Sequence, residues 1–245
     1  MRVIALHGFL GLPSDWHFLE REIANLESVD LWNSARDPSL GATFSSWAQK
    51  FNVSTACKSD SENGDPKPLL VGYSMGGRLA LHAALLEPKK WSGAIFVSAH
   101  PGLLSPEARA QRLEADQKWA QRFLNESWLS LMSGWNSQSV LQSSAQTEAI
   151  ILERNEADFE RQKLAFGMDA WSLGRQGDLR LALEKLELPV LFLSGAADEK
   201  FTSLLKTLHL NSCQEHRVVL GAGHRLPWEQ PKEFMKIVKE FQRKL

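Results

Sequence analysis

Cysteine is scarce in this chain, with only Cys57 and Cys213 among its 245 residues. The two lie far apart and outside any ligand-like spacing, so we interpret them as unpaired thiols in a reducing cytoplasm. No apolar run reaches the roughly 18 residues that a membrane-spanning helix needs. The first residues are too short for a signal peptide and run directly into a strand-like segment. These absences predict a cytoplasmic protein without a membrane partner.

The chain also lacks an excess of charge of one sign. It has 28 Lys and Arg and 29 Asp and Glu, which give a formal net charge of −1. A nearly neutral chain has no overall field that would favour nucleic acid. The His, Asp and Glu residues show no metal-ligand spacing. No phosphate-binding glycine fingerprint follows the first strand, so no cofactor is expected. The sequence carries no indication of an oligomeric state.

Short β-rich runs alternate with longer helical patterns along the chain. Near-continuous apolar runs such as Val190–Leu193 are typical of strands buried on both faces. This alternation predicts an α/β fold with a parallel, doubly wound sheet. The predicted strands are Arg2–Leu6, Ser28–Leu31, Pro68–Tyr73, Gly93–Ser98, Pro189–Ser194 and His216–Leu220. The predicted helices are Leu19–Leu26, Phe44–Phe51, Gly76–Leu86 and Pro231–Phe241, and the polar stretch Lys58–Lys67 is predicted to be an exposed loop.

One segment departs from this alternation. From Ser105 to Ala170 the sequence shows no strand signal and reads as amphipathic helices, of which Glu107–Leu124 is the clearest. Helices inserted where strands end are placed to cover a site. We therefore predict a core made of residues 1–102 and 178–245 and a helical cap made of residues 103–177. An ordinary helical layer is the alternative.

The strongest chemical signal is the stretch Gly72-Tyr73-Ser74-Met75-Gly76, which matches G-x-S-x-G between a strand and a helix. In this context the turn is crowded, so glycine flanks the serine, and the hydroxyl is lifted above the sheet. The helix N-terminus beside it favours an oxyanion. The motif predicts the α/β-hydrolase fold, with Ser74 as the working hydroxyl.

A carboxylate and a histidine follow Ser74 in the order that this fold requires. Asp198 comes just after the strand Val190–Leu193, and His224 comes just after the strand that ends at Leu220. Asp198 would hold the imidazole in the tautomer that accepts a proton from Ser74. Glu199 is the competitor for the orienting role.

An oxyanion hole in this fold uses the N–H after the serine and one from the loop after an early strand. Met75 and Phe9 are the candidates. His7 begins the same loop as Phe9. We interpret His7 as shaping this loop and not as the base, because the fold places its base near the C-terminus.

Together these motifs resemble those of the MenH family, the 2-succinyl-6-hydroxy-2,4-cyclohexadiene-1-carboxylate synthases of menaquinone biosynthesis. The resemblance runs through nearly the whole chain. The stretches that carry it are His7-Gly8-Phe9-Leu10-Gly11, Gly72–Arg78, His100-Pro101-Gly102-Leu103, Trp119–Leu124, Gly195–Phe201 and Gly221–His224.

The resemblance implies a lyase, in which a serine activated as a base removes a proton and pyruvate is expelled from a small anionic polycarboxylate. Such a substrate requires cationic side chains in the pocket. By position the family's substrate-binding residues correspond to Tyr73, Arg78, Arg112, Trp135, Arg154 and Lys200.

Two departures from the family pattern concern the pocket. Trp32-Asn33-Ser34 stands where many relatives have Pro-Gly-His, and Asn136 replaces a cap tyrosine. The alternative function is a carboxylesterase or thioesterase with Ser74 as an acylated nucleophile. A catalytically silent binding module would share the fold but would not need an intact Ser, Asp and His. Each arginine could instead be part of a solvated helix face.

Overall fold

The computed structural model describes residues 1–34, 43–55, 66–141 and 153–245. Six parallel strands form one sheet in the order β2-β1-β3-β4-β5-β6. The strands are β1 (Val3–Leu6), β2 (Leu26–Val29), β3 (Leu69–Tyr73), β4 (Gly93–Val97), β5 (Val190–Gly195) and β6 (Gln214–Val219). The predicted α/β class and parallel sheet are confirmed.

Alternate residues of strands β1 to β5 enter two separate hydrophobic cores, because successive side chains point to opposite faces. In β1, Ile4 and Leu6 join one core, whereas Val3 and Ala5 join the other. Helices cover both faces, which is why the inner strands are apolar without alternation.

Eleven α-helices are seen in the described residues. They are α1 (His17–Glu20), α2 (Leu31–Ser34), α3 (Phe44–Ser54), α4 (Ser74–Leu86), α5 (Pro106–Asn125), α6 (Trp128–Asn136), α7 (Arg161–Ala170), α8 (Arg180–Glu184), α9 (Glu199–Lys206), α10 (Leu226–Glu229) and α11 (Pro231–Lys244). Helices α3 and α4 pack on the Ile4 side of the sheet, and α11 packs on the Val3 side.

The predicted helix Leu19–Leu26 is wrong. Its helical part ends with α1 at Glu20, and Leu26 instead begins β2 by pairing with Val3. Pairing with the neighbouring strand prevails over the local pattern, because it satisfies backbone groups that are otherwise left unpaired. The predicted strand Ser28–Leu31 is displaced by two residues for the same reason, and Leu31 begins α2.

The stretch between β4 and β5 contains helices α5 to α8 and no strand among its described residues. Ser105 precedes helix α5 as its N-cap, and its hydroxyl accepts from the Ala108 N–H at 3.0 Å. The division into a core and a cap of residues 103–177 stays a prediction.

The described residues also bear on the expectations about membrane-spanning helices, the two cysteines and the polar loop. No helix among them has the length and apolar character required to cross a bilayer. Cys213 is an exposed free thiol, whereas Cys57 lies outside the described residues. The predicted loop Lys58–Lys67 also lies outside them, apart from its last two residues.

Candidate active site

Ser74 stands at the junction of β3 and α4, in a left-handed backbone conformation with φ of 51°. A non-glycine residue rarely adopts such a φ, and the strain is characteristic of functional turns. The turn is possible because Gly72 and Gly76 have no Cβ at two points where neighbouring backbone comes very close. A Cβ on Gly72 would lie 2.7 Å from the Gly76 carbonyl oxygen, and one on Gly76 would collide with the His7 carbonyl oxygen.

His224 connects Ser74 to Asp198. Its Nε2 lies 3.2 Å from the Ser74 Oγ, and its Nδ1 lies 2.7 Å from the Asp198 Oδ2. Both Asp198 and His224 are buried, while Ser74 is partly exposed. Since a carboxylate can only accept, Nδ1 carries the proton and Nε2 accepts from the serine hydroxyl. The three residues are thus arranged for proton transfer away from Ser74.

Local structure holds Asp198 and His224 in place. Asp198 is the N-cap of α9, and its Oδ1 accepts from the Phe201 N–H at 3.3 Å, leaving Oδ2 for the histidine. The Phe201 ring packs 4.8 Å from the His224 ring, and the Ser98 hydroxyl donates to the His224 carbonyl oxygen at 3.3 Å. Glu199, the competitor for the orienting role, is exposed and has no contact with His224 among the described interactions.

Phe9 and Met75, the oxyanion-hole candidates, line the same cavity as Ser74. Met75 lies in the first turn of α4, where backbone N–H groups have no acceptor within the helix. His7 is fully buried behind this loop, and burial lowers its pKa to about 4. It accepts from the Leu31 N–H at 3.1 Å through Nε2 and contacts the Gly8 carbonyl oxygen through Nδ1. A neutral imidazole that connects its own loop to the first residue of α2 is consistent with a role in shaping this loop.

The cavity above Ser74 has a volume of about 440 Å³, and residues from the sheet edge and from α5–α7 line it. Arg78, Arg112 and Lys200 all lie in its wall, as does Trp135. The Trp135 ring packs 5.0 Å from Phe9, so this aromatic residue of α6 lies directly beside the candidate oxyanion hole. The structure therefore brings four of the six predicted substrate-binding residues to one cavity.

Arg78 is buried one helical turn after Ser74. Burial, followed by the charge of Arg112, lowers its pKa to about 9, so the guanidinium keeps its charge at neutral pH. It lies 5.3 Å from the centre of the Phe44 ring and donates to the Gln176 Oε1 at 3.3 Å. Neither of these partners is charged. Among the described residues no carboxylate lies within hydrogen-bond distance of Arg78, although the nearby charge of Asp116 favours the guanidinium cation. A buried cation in the wall of a cavity is suited to an anionic ligand.

Arg112 already has a partner. Its Nε lies 2.8 Å from both oxygens of Asp116, which is buried and also accepts from the Ser172 hydroxyl at 2.7 Å. This pair orients the guanidinium. The Arg112 side chain is 40% exposed and lines the cavity. Lys200 is exposed at the rim.

The structure places Arg154 and Tyr73 outside the main cavity. Arg154 forms a bidentate ion pair with Asp15 at 2.8 and 2.7 Å. Both residues line a smaller adjoining cavity of about 60 Å³, together with Tyr73 and Ser74. Tyr73 is buried, which raises its pKa, and its ring meets Trp228 edge-on at 4.8 Å. These two predicted residues could contact only the part of a ligand that enters the smaller space.

The two departures from the family pattern have structural consequences. The Trp32 indole N–H donates to the Gly11 carbonyl oxygen at 2.8 Å, and its ring meets Phe9 edge-on at 5.4 Å. Trp32 thereby supports the loop that carries the candidate oxyanion hole. Asn136 accepts from the Arg225 guanidinium at 2.8 Å, which ties α6 to the residue after His224.

Sequence reasoning missed Gln176 and Asp116. Gln176 is fully buried, and its amide joins Arg78 to the His100 carbonyl oxygen, to which it donates at 2.8 Å. Neither residue stands in a motif or after a strand. The available signal for Asp116 was its i,i+4 spacing from Arg112 on one helix.

Residues 3–237 match the Alpha/beta hydrolase family. The solved structure of MenH from S. aureus has a TM-score of 0.82 at 20% identity, covering 99% of this chain and 94% of that one. An esterase from Thermogutta terrifontis has a TM-score of 0.68 at 19% identity, with 100% and 90% covered. The chain belongs to the alpha/beta hydrolase family.

Curated relatives narrow this assignment. The 2-succinyl-6-hydroxy-2,4-cyclohexadiene-1-carboxylate synthase of Escherichia coli O1:K1 / APEC is 32% identical over 236 residues, which cover 94% of this chain and 88% of that protein. The synthase of the same name from Pectobacterium atrosepticum is 30% identical over 242 residues, covering 98% and 92%. Within the alpha/beta hydrolases, the chain is an enzyme of this synthase family.

Proposed function

We propose that the protein removes a proton from 2-succinyl-5-enolpyruvyl-6-hydroxy-3-cyclohexene-1-carboxylate and eliminates pyruvate, as a lyase of menaquinone biosynthesis. The observation that carries this proposal is the shared cavity, in which the Ser74–His224–Asp198 chain faces three cationic side chains. The names of the curated relatives support the same reaction.

In the proposed reaction Ser74 acts as a base. His224 Nε2 accepts the hydroxyl proton, and the Ser74 oxygen takes the proton from the ring carbon that carries the succinyl ketone. The electron pair of that C–H bond forms a double bond to the next ring carbon, the existing ring double bond shifts by one position, and the C–O bond to the enolpyruvyl group breaks. The departing enolpyruvate takes up the proton held by His224 and becomes pyruvate, while Ser74 keeps the proton taken from carbon, so the equation balances without water.

The N–H groups of Phe9 and Met75 would stabilise the oxygen on which negative charge develops. Asp198, only 2.7 Å from the His224 Nδ1, would stabilise the imidazolium. Arg78, Arg112 and Lys200 would hold the carboxylates, which would place the reacting carbon above Ser74.

The test supplies the enolpyruvyl substrate, generated enzymatically, and follows pyruvate by a coupled dehydrogenase assay. We expect turnover in the wild type and a loss of several orders of magnitude in Ser74→Ala. Ser133→Ala, in α6 outside the cavity lining, is the control and should retain full activity. If the wild type releases no pyruvate above background but hydrolyses simple aryl esters in a Ser74-dependent manner, the protein is an esterase instead.

A further inference from the structure

His100 follows β4 at the same edge of the sheet as Ser74, in the stretch His100-Pro101-Gly102-Leu103. Its ring lines the main cavity beside Arg78 and Lys200, and only 7% of the residue is exposed. The proton path proposed above leaves this histidine without a role.

Backbone contacts determine which nitrogen of His100 carries the proton. The Gly102 N–H donates to Nδ1 at 3.0 Å, so Nδ1 is an acceptor and the proton of the neutral ring lies on Nε2. Among the described residues Nε2 has no hydrogen-bond partner, yet it is not sealed within the protein as the Nε2 of His82 is. The cavity-lining ring therefore presents one unused donor.

Burial and the cationic residues around His100 keep its ring neutral. Burial first, and then Arg78, Lys200, Arg180 and Arg112, lower its pKa to about 3. A further cation here would be repelled by the arginines and the lysine. A neutral N–H adds a donor for an anion without this repulsion.

We propose that the Nε2–H of His100 donates a hydrogen bond to a carboxylate oxygen of the substrate, beside the charge supplied by Arg78. Gln176 joins the two residues, since it accepts from Arg78 and donates to the His100 carbonyl oxygen. The cavity would thus recognise the carboxylate by one charged and one neutral donor. This inference rests on the proposed function, because it assumes a polycarboxylate substrate.

Two variants separate the donor from the shape of the ring. His100→Asn keeps an acceptor near Nδ1 for the Gly102 N–H but has no group at the position of Nε2. His100→Gln has an amide N–H that reaches this position. The probe is 2-succinylbenzoate, whose binding to the full chain is measured by calorimetry, so that the readout does not depend on turnover.

We expect His100→Asn to weaken binding roughly 10- to 100-fold, the value of a hydrogen bond to a charged group, and His100→Gln to recover most of the loss. In turnover, His100→Asn should raise KM more than it lowers kcat. A second probe, 2-butanoylbenzoate, lacks the carboxylate of the succinyl arm. A loss with 2-succinylbenzoate but not with 2-butanoylbenzoate assigns His100 to the arm carboxylate. A third probe, 4-oxo-4-phenylbutanoate, keeps the ketone and lacks the ring carboxylate. A loss with both benzoates but not with this probe assigns His100 to the ring carboxylate, whereas a loss with all three places the contact on the ketone and would overturn the inference.

Three results would overturn the inference: equal impairment of the two variants, unchanged binding in His100→Asn, or no binding of 2-succinylbenzoate to the wild type. Thermal unfolding of each variant verifies that the fold is retained. A wild type that binds as expected but releases no pyruvate would contradict the proposed function and leave the His100 contact standing.

Discussion

Individual side chains in the candidate site depend on partners that fix their orientation or charge. Asp198 is the clearest example, because its two oxygens have different contacts. One oxygen caps α9 and the other meets the His224 Nδ1 at 2.7 Å. The carboxylate therefore selects the imidazole tautomer as well as its position.

Asp198→Asn tests this selection. An amide at this position can donate to Nδ1, which would leave the proton on Nε2 and prevent it from accepting from Ser74. We expect pyruvate release to fall by about 10²- to 10⁴-fold with little change in unfolding temperature. Asp158→Asn, which changes an exposed carboxylate outside the site, is the control. Activity near that of the wild type would exclude Asp198 from the proposed role.

Arg78→Ala tests the anion pocket. Loss of a buried charge that faces the substrate should lower kcat/KM for pyruvate release roughly 10²-fold, as for other buried charged contacts. Lys118→Ala is a matched control, because Lys118 is an exposed cation of α5 paired with Glu114. Comparable losses in the two variants would show that the overall charge of the protein, and not a cation in the pocket, governs substrate binding.

At the scale of elements, the site depends on how closely α4 approaches β1. Gly76 lies in the first turn of α4 with its Cα against the His7 carbonyl oxygen. This approach brings the Ser74 turn next to the loop that carries Phe9, and both then line one cavity.

Gly76→Ala should therefore destabilise the fold, since the new methyl group would meet backbone that cannot rotate away. We expect a loss of about 1–3 kcal/mol in the free energy of unfolding, the usual cost of overpacking. Gly177→Ala is the control, because its added Cβ would meet nothing within 4 Å. Urea denaturation of both variants makes the comparison, and equal stability would contradict the close approach.

At the scale of the whole molecule, several histidines are held neutral by burial. The pKa of His82 falls to about 4, first through burial and then through Arg78. Its ring stacks on Phe44 at 4.6 Å, and its Nε2 has no partner in the described part of the chain. The unfolded chain binds protons at these sites below about pH 6.5, whereas the folded chain does not until pH is lower. Stability is therefore retained above pH 6.5 and declines as pH falls toward 4.

His82→Phe should remove one of these sites and keep the stack. Between pH 6.5 and 4 we expect its unfolding free energy to fall less steeply than that of the wild type, by up to about 1.4 kcal/mol per pH unit. Urea titrations at pH 7, 6 and 5 provide the measurement, and the pH 7 values serve as the reference. Parallel curves would show that His82 titrates alike in both states.

The sequence by itself determined the parallel α/β class and the presence of six strands, because apolar runs and the G-x-S-x-G turn are local signals. Strands β2 and β6 each begin two residues earlier than predicted. The sequence also indicated the Ser74, Asp198 and His224 set, since each residue directly follows a strand and parallel strands end at one edge. It failed for Leu19–Leu26, where pairing with β1 and not local propensity decides the structure.

Only the tertiary structure decided which partner each cationic residue of the candidate site contacts. By sequence Arg78, Arg112 and Arg154 are all candidates for substrate binding. In the structure Arg78 contacts Phe44 and Gln176, Arg112 pairs with Asp116, and Arg154 pairs with Asp15. The same holds for the unused donor of His100, because the Gly102 N–H occupies Nδ1 and leaves the proton on Nε2. Whether a charge or a donor remains available to a ligand depends on neighbours distant in sequence, because burial and pairing arise only when the chain is folded.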